Sequence, residues 1–138
     1  MRGIRVFFGI VLLLLCAGEL FQVFSQQKVA PPQTPIAYDN SSQEKVQGKI
    51  QEVKEYACPV TGATGFHITV KTTEGVVEVH LAPAKFLKEY EISLKPGEDV
   101  TVIGAKATVD GKPAVLAKTV TVGRDTFTFR DDKGKPLW

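Results

Sequence analysis

Residues 66–81 decide the fold, and they read FHITVKTTEGVVEVHL. Apolar and polar side chains alternate on both sides of Glu74-Gly75, which is typical of two β-strands that each bury one face. Because glycine adopts positive φ angles without strain, this dipeptide predicts a tight two-residue loop. Such a loop pairs Lys71 with Glu78 on one face and leaves the apolar pairs on the other. The stretch therefore predicts a β-hairpin with a defined register.

The same register decides where the two histidines of the sequence lie. His67 and His80 fall on the polar face of the hairpin, which we expect to be the solvent-exposed outer face. Thr69 is expected opposite His80, so the two histidines are diagonal neighbours with Cα atoms about 7–8 Å apart. Their imidazoles can then reach a common ligand.

Further elements are predicted on both sides of the hairpin. They are a first strand at 46–53, a short helix that begins at Pro83, strands at 100–109 and 114–122, and a short strand that holds Phe127 and Phe129. In the first strand the alternation slips near Gln51-Glu52, which predicts a β-bulge. Asp110-Gly111 predicts a tight turn between the two later strands.

Three strands, a helix and two strands form the element order of the OB fold. We therefore predict a mainly β domain at residues 45–138. Its architecture is a five-stranded OB-like Greek-key barrel with one short helix between strands 3 and 4, plus a short C-terminal strand. The apolar ending, Leu137-Trp138, is expected to pack back onto the barrel, or else to be offered to a partner.

The first 25 residues have the pattern of a signal peptide. Arg2 and Arg5 precede an apolar run at 6–17, and cleavage is predicted after Ser25. An uncleaved membrane anchor and a lipoprotein are the alternatives. All three predict an exported domain in the periplasm or the extracellular space.

Residues 26–44 separate the signal from the domain. They are rich in proline, serine and glutamine and have no hydrophobic period. This composition predicts a flexible linker.

Charge and aromatic content bear on the partners. The chain has 17 Lys+Arg against 15 Asp+Glu, and the two signs are interleaved. Proteins that bind single-stranded nucleic acid use basic grooves with stacking aromatics, and neither is predicted on strands 2 and 3. We therefore predict no nucleic-acid partner. An unknown protein or small ligand is expected instead, with membrane contact only through an uncleaved signal.

No catalytic constellation is recognisable in the sequence, which contains no nucleophile elbow, no Walker loop and no metalloprotease motif. We therefore predict that the protein is not an enzyme. The expected role is that of a binding or accessory module. Its ligand face comprises Thr69, Lys71 and Glu78 on strands 2 and 3, together with the loop at 56–65.

Two segments carry a family resemblance. They are Val79-His80-Leu81-Ala82-Pro83 and the C-terminal Arg130-Asp131-Asp132-Lys133-Gly134-Lys135-Pro136-Leu137-Trp138. In these segments and in its organisation, the chain resembles small exported bacterial OB-fold proteins. The resemblance implies a non-enzymatic, extracytoplasmic role. No cofactor is expected for such a role.

A metal site is the alternative function. Cys16 lies within the signal, so Cys58 is the cysteine left in the mature chain, where it is buried, bound to a metal or cross-linked. Cys58, His67 and His80 together offer ligands that suit copper or zinc. Affinity is then expected to fall as the pH drops through about 6.5, where imidazole protonates. A thiol-dependent enzyme is disfavoured because no resolving cysteine accompanies Cys58.

Overall fold

The computed structural model describes residues 36–138. A turn of 3-10 helix at Asn40–Ser42 precedes the first strand. The later elements are β1 (Gln43–Cys58), β2 (Ala63–Lys71), β3 (Val76–Pro83), α1 (Ala84–Glu89), β4 (Asp99–Val109), β5 (Lys112–Val122) and β6 (Asp125–Thr128). The prediction of a mainly β chain, with a short helix between strands 3 and 4 and a short C-terminal strand, is confirmed.

The strands form one sheet in the order β3-β2-β1-β4-β5-β6. Parallel pairing of β3 with β5, at Val79 with Val115 and His80 with Leu116, closes this sheet into a barrel. The five closing strands thus have OB topology, and β6 extends β5 on the outside. Closure brings β3 and its two neighbours, β2 and β5, together around His80.

A β-bulge divides β1 between two partners. Its first part pairs with β4 through residues 43–49, and its second part pairs with β2 through residues 49–58. The register with β2 shifts between Ile50 and Glu52, which confirms the predicted bulge. A bulge bends its strand, and the second part of β1, which ends at Cys58, follows β2 rather than β4.

The β2–β3 register differs from the predicted one by two residues. Lys71 pairs with Val76 rather than with Glu78, and a four-residue loop at 72–75 replaces the predicted two-residue loop. The Thr72 hydroxyl explains the longer loop, because it donates to the Gly75 carbonyl at 2.9 Å and accepts from the Glu74 N–H at 3.1 Å. A shift of two residues keeps each side chain on its predicted face.

The core lies inside the barrel. Its fully buried large side chains include Ile50, Ile68, Val70, Val79, Leu81, Leu87, Val102, Val120 and Phe129. The helix α1 contributes Leu87, whereas Tyr90, which follows the helix, is exposed. Within residues 36–138, no helix is long and apolar enough to cross a membrane.

The two ends of the described segment meet at Arg130. Its buried guanidinium carbon lies 5.3 Å from the ring centroid of Tyr38 and 4.9 Å from that of Trp138. Part of the predicted 26–44 linker therefore packs against the domain, and β1 already begins at Gln43. Trp138 also packs on the core, as expected, whereas Leu137 is exposed. The predicted signal at 1–25 and the rest of the linker lie outside the described residues.

Candidate metal centre

Cys58, His67 and His80 form one buried cluster. They come from the end of β1, from β2 and from β3, and each has a ligand atom within 4.8 Å of the others. Their exposed fractions are 4%, 1% and 3%. The fold therefore brings together the three residues that the sequence proposed as metal ligands.

The two histidines are direct cross-strand partners, not diagonal neighbours. The prediction that Thr69 faces His80 is wrong, because the longer loop places Thr69 opposite Glu78. The imidazole centroids of His67 and His80 lie 4.5 Å apart with an interplanar angle of 82°. Direct pairing thus brings the rings closer than the predicted register would.

The predicted solvent exposure of the two histidines is wrong. On one side the Tyr56 ring stacks on His67, with centroids 3.8 Å apart and planes 15° from parallel. On the other side the β4–β5 hairpin covers His80, and its residues line a cavity of about 190 Å³ together with Tyr56, Glu78 and His80. Neither cover is visible in the alternation of β2 and β3, since both come from other strands.

Gly65 makes room for the cluster. A β-carbon at this position would lie 2.6 Å from the Cβ of Cys58 and 2.9 Å from the Cε1 of His67. Any larger side chain would therefore displace one of these two groups.

The predicted loop at 56–65 is shorter in the structure. Only residues 59–62 connect β1 to β2, and Gly65 lies within β2.

The side chain of His80 links the thiol to a carboxylate. Its Nδ1 lies 3.2 Å from the Sγ of Cys58, and its Nε2 lies 3.5 Å from the Oε1 of Glu78. The Tyr56 hydroxyl donates a hydrogen bond to the same Glu78 oxygen. Sequence reasoning missed Tyr56 at this site, although pairing of β1 with β2 places it opposite Gly65.

His67 is buried without satisfied polar atoms. Neither Nδ1 nor Nε2 makes a hydrogen bond of good geometry, although the backbone of Lys54, the cross-strand partner of His67, lies near enough to the ring to favour its protonated form. Burial is the larger and repulsion from His80 the smaller of two effects that lower the pKa of His67 to about 4. His67 therefore takes up a proton at a lower pH than the predicted value of about 6.5. Burial likewise lowers the pKa of His80, against the opposing effects of Glu78 and Asp110. Both imidazoles are therefore neutral at pH 7, which is the form that binds metal ions.

The donor set fits copper or zinc. Thiolate and imidazole are the ligands these ions prefer, with zinc bonds of about 2.0–2.3 Å. Ligand atoms at such bond lengths are separated by roughly 3.3–3.7 Å around a tetrahedral ion. The Cys58–His80 pair is already near this separation at 3.2 Å, and all three groups fall within 4.8 Å. Small side-chain movements would suffice for binding.

The three residues of the predicted ligand face differ in their position relative to this cluster. Glu78 contacts Tyr56 and lies near His80, whereas Thr69, its cross-strand partner, is half-buried with a hydroxyl that makes no hydrogen bond. Lys71 lies nearer the loop end of the hairpin and is exposed. Of the three, Glu78 is the one that adjoins the Cys58, His67 and His80 cluster.

Residues 42–127 match the sequence profile of the family described as the MamS/MamX magnetosome protein family. This match covers more than half of the chain. No curated protein is significantly similar in sequence.

Solved structures with similar folds include three OB-containing assemblies. The S. pombe Stn1-Ten1 complex is 20% identical, with a TM-score of 0.47 over 60% of this chain and 59% of that one. A replication protein A heterotrimer bound to single-stranded DNA is 13% identical, with a TM-score of 0.45 over 61% and 59%. The S. cerevisiae mitochondrial protein Rim1 is 11% identical, with a TM-score of 0.48 over 65% and 98%. This chain thus spans 59% of the first two, and the likeness concerns the fold alone.

The predicted exclusion of a nucleic-acid partner is wrong. Replication protein A is bound to single-stranded DNA in its structure, and Rim1 is a single-stranded DNA-binding protein. Tyr56, the aromatic residue nearest to the face of β2 and β3, lies on β1, and its ring stacks on His67. A nucleic-acid partner is therefore no longer excluded.

Proposed function

This chain belongs to the MamS/MamX magnetosome protein family, and on that premise we propose that it is a magnetosome-associated accessory protein whose domain binds one copper or zinc ion. The ligands are the sulfur of Cys58 and one ring nitrogen each from His67 and His80. The observation that carries the proposal is His67, whose buried ring makes no hydrogen bond of good geometry and lies beside a thiol and a second imidazole.

The argument from His67 is energetic. A buried polar group without a hydrogen bond costs about 1–3 kcal/mol, and apolar side chains of similar size would fill the same space without that cost. Three metal-binding side chains from three strands meet here, and Gly65 provides the space for them. A bound ion would satisfy a nitrogen of His67 and offset the cost of burying it.

The charges at the site also favour a metal ion. On binding, the Cys58 thiol releases its proton to solvent, and the thiolate and one lone pair from each imidazole form the bonds to the ion. The thiolate contributes one negative charge, and Glu78 beside His80 contributes another. These two charges would balance a divalent ion in a buried site, where an unbalanced charge is costly.

Metal titration tests this function. The purified protein is titrated with Zn(II), and under anaerobic conditions with Cu(I), against a chromophoric chelator. We expect one equivalent to bind. Cys58→Ser should weaken binding by at least about 100-fold, since loss of a ligand exceeds the 10–100-fold cost of losing an outer-shell partner.

The matched control for this titration is Ala57→Ser in the same chain, because Ala57 is exposed on β1 beside Cys58 and offers no metal ligand. It should bind like the wild type. Circular dichroism of each variant without metal shows whether the fold persists. Wild-type protein that binds neither ion, or Cys58→Ser protein that binds as tightly as the wild type, would overturn the proposal.

Export and a non-enzymatic role belong to the same proposal. The pattern of Arg2, Arg5 and the apolar run supports a signal cleaved after Ser25, which would place the domain in the periplasm or outside the cell. Mass spectrometry of the exported protein should show residues 26–138. A full-length product embedded in the membrane would contradict cleavage.

A further inference from the structure

The two ring nitrogens of His80 face chemically different groups. Nδ1 lies 3.2 Å from the Sγ of Cys58, and Nε2 lies 3.5 Å from the Oε1 of Glu78. A neutral imidazole carries one proton, on one nitrogen or on the other. Which nitrogen carries it decides which nitrogen has a lone pair for a metal ion.

We propose that Glu78 is a positioning residue of the metal centre: its carboxylate keeps the proton of His80 on Nε2, so that Nδ1 binds the ion. This inference rests on the proposed function. The contact is an ion-pair distance of 3.5 Å and not a formed hydrogen bond, but the negative carboxylate cannot donate a proton and attracts an N–H, so it favours the tautomer in which the nitrogen that faces it is protonated. Nδ1 then presents its lone pair towards the sulfur of Cys58, on the side where the ligands meet.

Tyr56 holds Glu78 in this position. Its hydroxyl donates to the carboxylate oxygen that lies near His80, while its ring stacks on His67. Burial and the hydrogen bond to Glu78 raise the pKa of the phenol, so it remains a donor at neutral pH. One side chain thus packs on the first histidine and orients the carboxylate that serves the second.

Other charged groups near His80 do not take this role. Asp110 and Lys112, from the β4–β5 hairpin, line the same cavity as Glu78. Among residues 36–138, Glu78 is the carboxylate that lies within ion-pair distance of the His80 ring. With an ion bound, Glu78 would be the outer partner of the ligand His80, a type of partner that fixes the ring and strengthens the ligand.

Glu78→Gln tests the role of the carboxylate. Glutamine retains the size of the side chain but not its charge, and its amide can face the ring with a donor. The affinity for Zn(II) should fall by about 10–100-fold, as is typical of outer-shell changes. The matched control is Glu74→Gln in the β2–β3 loop, which should bind Zn(II) like the wild type.

Tyr56→Phe separates the two contributions of the tyrosine. It removes the hydroxyl that holds Glu78 and leaves the ring on His67. The affinity for Zn(II) should therefore fall, but by less than in Glu78→Gln. A Glu78→Gln protein that binds Zn(II) as tightly as the wild type would overturn the inference.

Nitrogen NMR gives a readout that a merely structural role would not move. Long-range ¹H–¹⁵N correlation spectra of the metal-free wild type at pH 7.5 should show the proton of His80 on Nε2. In Glu78→Gln the two tautomers should mix. A wild-type ring protonated on Nδ1 would overturn the inference, and this measurement decides it even where Glu78→Gln does not fold.

The outcomes separate this inference from the proposed function. A wild-type protein that binds neither Zn(II) nor Cu(I) removes both. A wild-type protein that binds one equivalent, with Glu78→Gln unchanged, removes the role of Glu78 and leaves the metal site in place.

Discussion

At the scale of single residues, the imidazole of His67 lies between the rings of Tyr56 and His80 and is almost fully buried. Its conformation is held mainly by packing, since neither ring nitrogen makes a hydrogen bond of good geometry. Such a group is poorly stabilised in the charged form, which is why burial lowers its pKa to about 4. The protonation of the metal-free protein is therefore coupled to its folding.

We predict that the metal-free protein loses stability as the pH falls from about 6.5 to about 4. In this window the unfolded chain binds a proton at His67 and the folded protein does not, so the free energy of unfolding decreases with falling pH. A shift from 6.5 to about 4 corresponds to a loss on the order of 3 kcal/mol. Urea denaturation at pH 7.5, 5.5 and 4.5 measures it.

The control for the pH series is His67→Phe, which keeps an aromatic ring against Tyr56 and cannot titrate. Its stability should vary less over the same range. Some variation should persist, because burial lowers the pKa of His80 as well. Equal pH dependence in the variant and the wild type would show that His67 is not the coupled group.

At the scale of elements, the β2–β3 hairpin depends on its four-residue loop. The Thr72 hydroxyl makes two of the loop's hydrogen bonds, to the Gly75 carbonyl and from the Glu74 N–H. The backbone N–H of Thr72 also donates to the Gly75 carbonyl, at 2.8 Å. The loop length sets the register, and the register sets His67 opposite His80.

We predict that Thr72→Val destabilises the protein by about 1 kcal/mol per lost hydrogen bond, and by about 2 kcal/mol at most. The register should persist because the backbone bond remains. Urea denaturation gives the change in stability. Thr73→Val is the matched control, since the Thr73 side chain is exposed and makes no hydrogen bond among the described residues. A loss of equal size in both variants would count against the role of the Thr72 hydroxyl.

At the scale of the whole molecule, Arg130 ties the start of the described segment to its end. The guanidinium lies against both Tyr38 and Trp138 and donates to the Gly134 carbonyl at 3.1 Å. A planar guanidinium stacks on aromatic rings in a way that a lysine ammonium does not. The two terminal segments are therefore expected to loosen together when this residue changes.

We predict that Arg130→Lys lowers the stability of the domain by about 1–2 kcal/mol, the scale of a buried cation–π contact. Amide hydrogen exchange should increase around Tyr38 and near the C-terminus. Arg124→Lys, at the exposed turn between β5 and β6, is the matched control and should leave both unchanged. Unchanged exchange in Arg130→Lys would show that the two ends are held by other contacts.

What the sequence alone determined is local. The period of two in β2 and β3, the bulge at Gln51 and the turn at Asp110-Gly111 depend on neighbouring residues, whose conformational preferences do not need the rest of the chain. In agreement with this, Asp110 and Gly111 both have positive φ, at 49° and 75°. The element order that follows from these signals was sufficient to predict the OB topology. It also placed His67 and His80 on one face, because a change of two residues in register does not change the face.

Tertiary structure decided the environment of that face. His67 and His80 read as surface residues because they alternate with the core residues of their own strands. Their burial comes from Tyr56 on β1 and from the β4–β5 hairpin, which approaches because β3 pairs with β5. The burial of a side chain depends on the residues that are close to it in space. Tyr56 and the β4–β5 hairpin are distant from the histidines along the chain, or their contact with the histidines follows from no local sequence pattern. The same long-range closure turned two apparent surface histidines and a lone cysteine into a candidate metal centre.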